Sequence, residues 1–328
     1  MAEQAEIVRD VVVVGGGAAG LSAALTLTRA RRSVTVVDAG APRNAPAAGV
    51  HGLLALDGVD PAELLARGRA EVVGYGGEII EGEVSDASGT APDFVVTRRG
   101  GGRLRARRLL IATGLVDELP AVPGVREQWG RDVLHCPYCH GWEVRDHRVG
   151  VLATGPLSVH QALLFRQWTD DVRFFAHGGG VAPEDRAKFD ALGIAVITGE
   201  VVELAVEGDR LRGVRLDDDR VVAVDAVVVA PRMVARVEVF AGIGIQPTEH
   251  PMGSYIAADP TGFTGVPGVW VAGNAADLSA QVSAAAADGA RAGAHINADL
   301  VTEDTDRAVA DRLSTEHRVE PAITGHIP

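Results

Sequence analysis

The chain has 328 residues, 47% of them hydrophobic, which suggests about two domains with enough apolar side chain for sizeable cores. A formal net charge of −13 leaves no basic face for nucleic acid or an anionic membrane, and no apolar run reaches the length of a membrane span. Two cysteines do not make a disulfide scaffold, and the first ten residues carry no basic, apolar, cleavable signal segment, so a reducing cytoplasm is the expected setting.

Residues 7–14 form a β-branched run leading into Gly15-Gly16-Gly17-Ala18-Ala19-Gly20, and residues 21–31 then read as a helix. Strand, glycine turn and helix in that order make a dinucleotide-binding fingerprint. Gly15 makes the turn, Gly17 lets backbone approach a pyrophosphate, and Gly20 lets helix and strand pack. A second strand at 33–37 ends in Asp38, about twenty residues past the glycines, where an acid holds ribose hydroxyls. The polar residues of Ala41-Pro42-Arg43-Asn44 and Val50-His51-Gly52-Leu53 fall in a long loop of the kind that contacts ligand. Residues 61–73 make an amphipathic helix with Leu64, Leu65 and Val72 on its apolar face. Strands at 78–84, 94–98 and 103–110 follow, with turns at Gly89 and Gly100-Gly101-Gly102. The last runs into Ala112-Thr113-Gly114, a buried strand closing on a glycine turn.

Leu119-Pro120 and Val122-Pro123-Gly124 mark a linker, and behind it stands His135-Cys136-Pro137-Tyr138-Cys139-His140-Gly141-Trp142. Both cysteines are here, spaced to form a strained, easily reduced disulfide at a helix start, where the helix terminus and histidines favour the thiolate. Cys-x-x-Cys-His is also the attachment motif of c-type haem, a chemistry of exported proteins. Zinc on the cysteines with His135, His140 or His147 lacks the usual second ligand pair, and two inert thiols are a third alternative. The surroundings favour a redox pair.

A strand at 148–152 enters Ala153-Thr154-Gly155-Pro156-Leu157-Ser158 before a helix at 159–168. This is a decayed second fingerprint, with Ala153 and Ser158 at the first and third glycine positions and Pro156 stiffening a turn whose amides should reach phosphate. The strand at 172–176 runs into His177-Gly178-Gly179-Gly180, where a site for a 2′-phosphate would want arginines. A fold can keep its shape after losing its ligand, so this half reads as a scaffold. Strands at 194–204, 211–216 and 221–230 complete it as a meander plus a closing strand that ends in Pro231-Arg232 rather than glycine. Val269-Trp270-Val271-Ala272-Gly273-Asn274 is a further buried strand and turn. Residues 281–300 make a long Ala-rich helix, with Gln281 and Val282 at an N-terminus whose amides stabilise negative charge. Residues 302–328 are polar, with one short helix near 306–313.

Taken together, Gly15-x-Gly17-x-x-Gly20, Ala112-Thr113-Gly114, the inserted Cys-x-x-Cys and Gly273-Asn274 resemble the low-molecular-weight thioredoxin reductase family over nearly the whole chain. The resemblance implies an α/β fold of two Rossmann-like three-layer domains and a homodimer. An FAD domain is built from residues 1–117 and 245–328, and a disulfide-bearing, degenerate NADPH-type domain is inserted at 118–244. By the family's roles Cys139 faces the flavin C4a and Cys136 exchanges with substrate. Thioredoxin reductases carry an acid after the second cysteine, an intact second fingerprint and an arginine-bearing NADPH loop. Here stand His140, the decayed turn and His177-Gly178-Gly179-Gly180.

In these departures, and in Pro42-Arg43-Asn44, Val50-His51-Gly52 and the stretch from His135 to Glu143, the chain more closely resembles the dithiol oxidases that close the disulfide of gliotoxin, holomycin and similar natural products. That likeness puts the FAD pyrophosphate on Gly17, Ala18 and Ala19 and its ribose on Asp38. It puts further cofactor contacts on Arg43, His51, Val84, Ala112, Asn274, Gln281 and Val282, with Thr113, Gly114 and Gly273 in the adjoining turns. Asn274 stands where the reductases carry an acid, and an amide can still hydrogen-bond the ribityl chain. The implied activity is FAD-dependent oxidation of a small dithiol, with oxygen as acceptor and peroxide as product. His135 or His140 would be the general base, since imidazole titrates near working pH. An NADPH-dependent disulfide reductase and a non-catalytic flavin-bearing redox sensor are the competing readings.

Overall fold

A computed structural model describes residues 8–155 and 157–319. Ile7 and Pro156, both named above, and the tail from residue 320 lie outside the described residues. The chain opens as β1 (Val8–Val14), α1 (Ala18–Arg29), β2 (Val34–Asp38), α2 (Pro61–Gly74) and β3 (Glu78–Glu81). The meander β4 (Val84–Thr90), β5 (Asp93–Arg98) and β6 (Arg103–Ile111) follows. These strands form a seven-stranded sheet in the order β3-β2-β1-β6-β5-β4, completed by β19 (Val269–Val271), which runs parallel to β6.

Val11 to Val14 are all buried because both faces of this sheet are covered, so the strand reads as a continuous β-branched run rather than an alternation. Val11 and Val13 pack with α1 and the C-terminal helix, while Val12 and Val14 face a second core built from the meander and residues 235–256. The strand expected at 78–84 divides: β3 ends at Glu81 and Val84 begins β4, with Gly82 at φ +149° between them.

The strand β7 (Leu115–Glu118) leads into the inserted domain, which contains α3 (Val125–Gln128), β8 (Val133–Leu134), α4 (Pro137–His140), β9 (Val149–Leu152), α5 (Ser158–Phe165), β10 (Val172–Phe175), α6 (Pro183–Leu192) and β11 (Ala195–Ile197). Its outer sheet is the meander β12 (Val201–Glu207), β13 (Arg210–Leu216) and β14 (Val221–Ala223), and β15 (Ala226–Val228) closes the domain. The parallel sheet runs β11-β10-β9-β15-β8, repeating the parallel core of the first domain. The single strand expected at 194–204 is two strands in two different sheets, because the chain turns at Gly199, whose φ of +111° an L side chain would resist. The strand expected at 221–230 is likewise divided between β14 and β15.

The chain leaves by β16 (Arg232–Ala235), which pairs antiparallel with β7, so the two crossings between domains lie side by side. The small strands β17 (Thr248–His250) and β18 (Gly253–Tyr255) extend that ribbon. The return to the first domain comes before the expected position 245: Ala235, Val237, Phe240 and Ile243 share a core with Val12, Phe94 and Ile111.

The last helix, α7 (Val282–Val319), spans 38 residues without the expected break after 300. Its polar second half has partners on the sheet. Arg108 pairs with Asp299 and Glu303, Arg107 with Glu303 and Asp304, and Arg32 with Asp304. Among the described residues no helix is long and apolar enough to cross a membrane.

Candidate active site

The first glycine turn is built for a close backbone approach. Gly15 has φ +108°, and a Cβ there would lie 2.2 Å from the Ala112 carbonyl oxygen. A Cβ on Gly20 would lie 1.9 Å from the Gly15 carbonyl oxygen, so the helix can sit on the strand only if this position has no side chain. Gly17, by contrast, caps α1 with open space where its Cβ would be, and no side chain caps the helix. The first-turn amides of the twelve-residue α1 therefore need an outside partner, and anions suit that end. Asp38, at the end of β2, is held by Arg69 and accepts from the Gly40 amide at 3.3 Å. Amides for a pyrophosphate and an acid for a ribose fit the adenine half of FAD.

A cavity of about 1080 Å³ is lined both by this cradle, Ala18 and Ala19 included, and by the redox turn. Arg43, His51, Val84, Ala112, Thr113 and Gly114 line it, as do Asn274, Gln281 and Val282. Gly20 and Gly273 do not. Gly273, at φ +71°, packs its turn against Ala19, where a Cβ would lie 2.8 Å from the Ala19 Cβ. Both glycines serve the cofactor cradle through packing.

Several of these side chains are already engaged. Arg43 makes a bidentate pair with the buried Asp117 of β7, at 2.7 Å for both bonds, so its charge is fixed in the cavity wall. Asn274 spends both amide protons on its own loop, donating to Asp277 O at 3.0 Å and Ala280 O at 2.8 Å, which leaves only Oδ1 to accept from a ligand. An acid at this position would face two carbonyl oxygens. His51 lies between carboxylates, 3.5 Å from Asp57 and 3.4 Å from Glu143 of the redox stretch, so it bridges the two domains. Thr113 Oγ1 donates to the Arg236 carbonyl at 3.1 Å.

Cys136 precedes α4, a single turn that starts with Pro137 and includes Cys139. Both cysteines are half-buried and reduced, and the Cys139 thiol donates to Cys136 Sγ at 2.7 Å. That bond, with help from the Cys139 and Tyr138 amides and the Arg43 charge, lowers the Cys136 thiol to about 7 against the opposing effect of burial. Cys139 is pushed the other way, because its proton is held by Cys136 and because it is buried. In the reduced pair Cys136 is thus the sulfur that ionises first, beside a Cys139 that keeps its proton. Gln281 Nε2, from the start of α7, comes within 4.0 Å of Cys136 Sγ, joining the flavin-side helix to the redox turn.

The flanking histidines differ. Burial lowers the pKa of both, which keeps the rings neutral, each with one nitrogen lone pair to accept a proton, and makes them weaker bases than a free imidazole. His135 Nδ1 lies 3.3 Å from the Val229 carbonyl, whereas both ring nitrogens of His140 are buried without a partner. Three further residues had no motif to announce them: Asp117, Arg69, and Gln161, which sits behind His135. Ser158 was marked by its place at a glycine position of the second fingerprint, but not the bonds its hydroxyl makes.

Comparison with known proteins agrees with this geometry. Residues 9–289 match the pyridine nucleotide-disulphide oxidoreductase family. The chain is 31% identical over 306 residues to thioredoxin reductase sirT of Leptosphaeria maculans, covering 88% of this chain and 93% of that one. It spans about half the length of two other relatives it matches, a probable thioredoxin reductase of Arthroderma benhamiae (45%) and thioredoxin reductase tcpT of Claviceps purpurea (50%). Among solved structures, HlmI superposes with a TM-score of 0.89 at 50% identity, covering 96% of this chain and 99% of HlmI. An oxidoreductase from Agrobacterium tumefaciens gives 0.86 at 38% identity, covering 90% and 99%. The chain belongs to the pyridine nucleotide-disulphide oxidoreductase family, as a thioredoxin reductase-like flavoenzyme that uses FAD.

Proposed function

We propose that this flavoenzyme is a dithiol oxidase that closes a disulfide within a small dithiol through Cys136 and Cys139, with oxygen as acceptor and hydrogen peroxide as product. The observation that carries the reading is the state of the second dinucleotide turn. The Ser158 hydroxyl accepts from the Thr154 and Gly155 amides at 3.1 and 3.2 Å and donates to the Leu152 carbonyl at 3.2 Å. Amides that would cradle a nicotinamide dinucleotide are satisfied from within, and the loop after β10 carries no cation between Ala176 and Ala182. Electrons therefore enter through the cysteines rather than through NADPH.

In the oxidised enzyme a substrate thiolate attacks Cys136 Sγ, and the electron pair of the broken S–S bond leaves on Cys139. The second substrate thiolate attacks the mixed disulfide, releasing cyclised product and the Cys136 thiolate. A sulfur with a pKa of about 7 is a good leaving group for that step. His135, kept neutral by burial and so with a lone pair to offer, takes the substrate proton, and the Arg43 charge steadies the sulfur anions. Bound FAD supplies the acceptor for the electron pair of the cysteine dithiol and hands it to oxygen. The acting unit in this reading is a homodimer, which light scattering would check.

A second reading, an NADPH-dependent disulfide reductase, is favoured by the name thioredoxin reductase borne by sirT. Anaerobic titration of the yellow protein separates the two. The oxidase reading expects NADPH to leave the flavin absorbance unchanged and dithiothreitol to bleach it, with colour and peroxide returning on admission of air. Rapid, stoichiometric bleaching by NADPH would establish the reductase instead.

A further inference from the structure

Gln161 lies on α5 behind the redox turn and is 4% exposed. Its Nε2 donates to two main-chain carbonyls, His135 O at 3.0 Å and Val229 O at 3.2 Å. An amide nitrogen has two protons, so both are committed, and flipping the amide would set its oxygen against two carbonyl oxygens. The same Val229 oxygen lies 3.3 Å from His135 Nδ1. A carbonyl oxygen only accepts, so this contact is a hydrogen bond when Nδ1 carries the proton. Gln161 Nε2 also approaches Nδ1 at 3.3 Å, but with its protons spent it offers none to a lone pair there. The tautomer that remains has Nδ1–H on Val229 and the lone pair on Nε2, in a ring that lines the cavity beside Cys136.

We propose that Gln161 is a positioning residue that clamps the Val229 carbonyl against His135 Nδ1 and through it sets the tautomer of His135, so that Nε2 is the base presented to the substrate. That the proton taken belongs to a dithiol rests on the oxidase reading; the tautomer lock does not. The proton passes from a substrate S–H to Nε2, the resulting thiolate bonds to Cys136 Sγ, and the S–S pair departs on Cys139, which the Nε2 proton can neutralise. An imidazole released from the clamp samples both tautomers, and one of them has no lone pair at Nε2.

Two measurements on the FAD-loaded protein test this. Long-range 1H–15N spectra of histidine-labelled protein should show His135 as the Nδ1–H tautomer in the wild type and as a mixture in Gln161→Leu. Anaerobic stopped-flow reduction by dithiothreitol should slow by about a hundredfold or more in His135→Ala. It should slow on the order of tenfold in Gln161→Leu, with no further loss when Gln161→Leu is added to His135→Ala. An unchanged Nδ1–H signal in Gln161→Leu overturns the proposal, and so does an equal slowing in the His135→Ala background. Should Gln161→Leu fail to retain FAD, Gln161→Met, closer in shape, takes its place in both measurements. If dithiothreitol does not reduce the wild-type protein, the oxidase reading falls, and the spectra still decide the tautomer.

Discussion

The two dinucleotide folds of this chain share a parallel strand order, β3-β2-β1-β6 in the first and β11-β10-β9-β15 in the second, yet their turns end differently. At the third fingerprint position the first fold has Gly20, and beyond Gly17 the amide end of α1 faces open space. The second has Ser158, 1% exposed, whose hydroxyl bonds the Thr154 and Gly155 amides, while Thr154 Oγ1 accepts from the Ala230 amide at 3.2 Å. Main-chain donors must find partners, and a nucleotide supplies them in one fold where a side chain does in the other. The second sheet does not depend on what its turn binds, because its stability lies elsewhere: Val149, Val151, Phe165 and Val228 are fully buried in their own core. On the proposed oxidase reading such a fold is retired at its turn while its layers persist as a mount for the cysteines.

The largest expected effect comes from removing the cysteine route itself. Cys136→Ser should abolish dithiol turnover while FAD stays bound, as followed by peroxide formation and flavin absorbance. Retained turnover would sink the cysteine route and reopen the second fold as an electron entrance. Gly20→Ser imports the second fold's solution into the first. Its Cβ would strike the Gly15 carbonyl at 1.9 Å, so the purified protein should carry little FAD, read as a lowered ratio of flavin to protein absorbance. Full flavin occupancy would mean that the turn relaxes and that close packing is not what separates the two folds.

A smaller effect concerns the cysteines alone. Hydrogen bonding from Cys139 lowers Cys136 from the ordinary thiol value of 9.0 to about 7, so the thiolate is present above about 7 and lost as pH falls through it. At pH 7 half of such a thiol is ionised against about 1% of an ordinary one, which gives about a 50-fold excess of thiolate. Alkylation of the reduced enzyme by iodoacetamide should rise with a midpoint of about 7 and fall on Cys136. In Cys139→Ala the midpoint should move upward, because the side-chain donor to the Cys136 thiolate is gone. A midpoint near 9 in the unmodified pair would remove the reason for calling Cys136 the better leaving group.

Much of this was legible because it is local. The run at Val11–Val14, the glycine spacing and Asp38 at the end of β2 lie close together in sequence, and the α/β fold follows from them. The cysteine pair was equally plain. What sequence hid depends on distant partners. The polar stretch after 300 read as a tail with one short helix near 306–313, yet its acids meet Arg107 and Arg108 nearly 200 residues earlier, and with that support the helix simply continues. Arg43 was legible as a site residue, but Asp117, which pins it, belongs to no motif. Asn274 read as a cofactor contact through its amide, and sequence hid the two bonds that the same amide donates to its own loop. His135 and His140 could not be ranked by type alone, and only the carbonyl beside one and the missing partners of the other distinguish them.

The smallest expected effect isolates the serine. Ser158→Ala leaves the Gly155 amide without its acceptor, while the Thr154 amide keeps the Leu152 carbonyl at 2.9 Å, so the cost should be about 1 kcal/mol, visible as a lower midpoint in calorimetry of the FAD-loaded protein. NADPH should still fail to bleach the flavin, because His177-Gly178-Gly179-Gly180 offers no cation to a 2′-phosphate and the amides are only one part of such a site. If NADPH reduces the variant, the remainder of the second site survives and a single hydroxyl separates the two folds. If the midpoint does not move, water satisfies the freed Gly155 amide, and Ser158 is a passive filler of its turn.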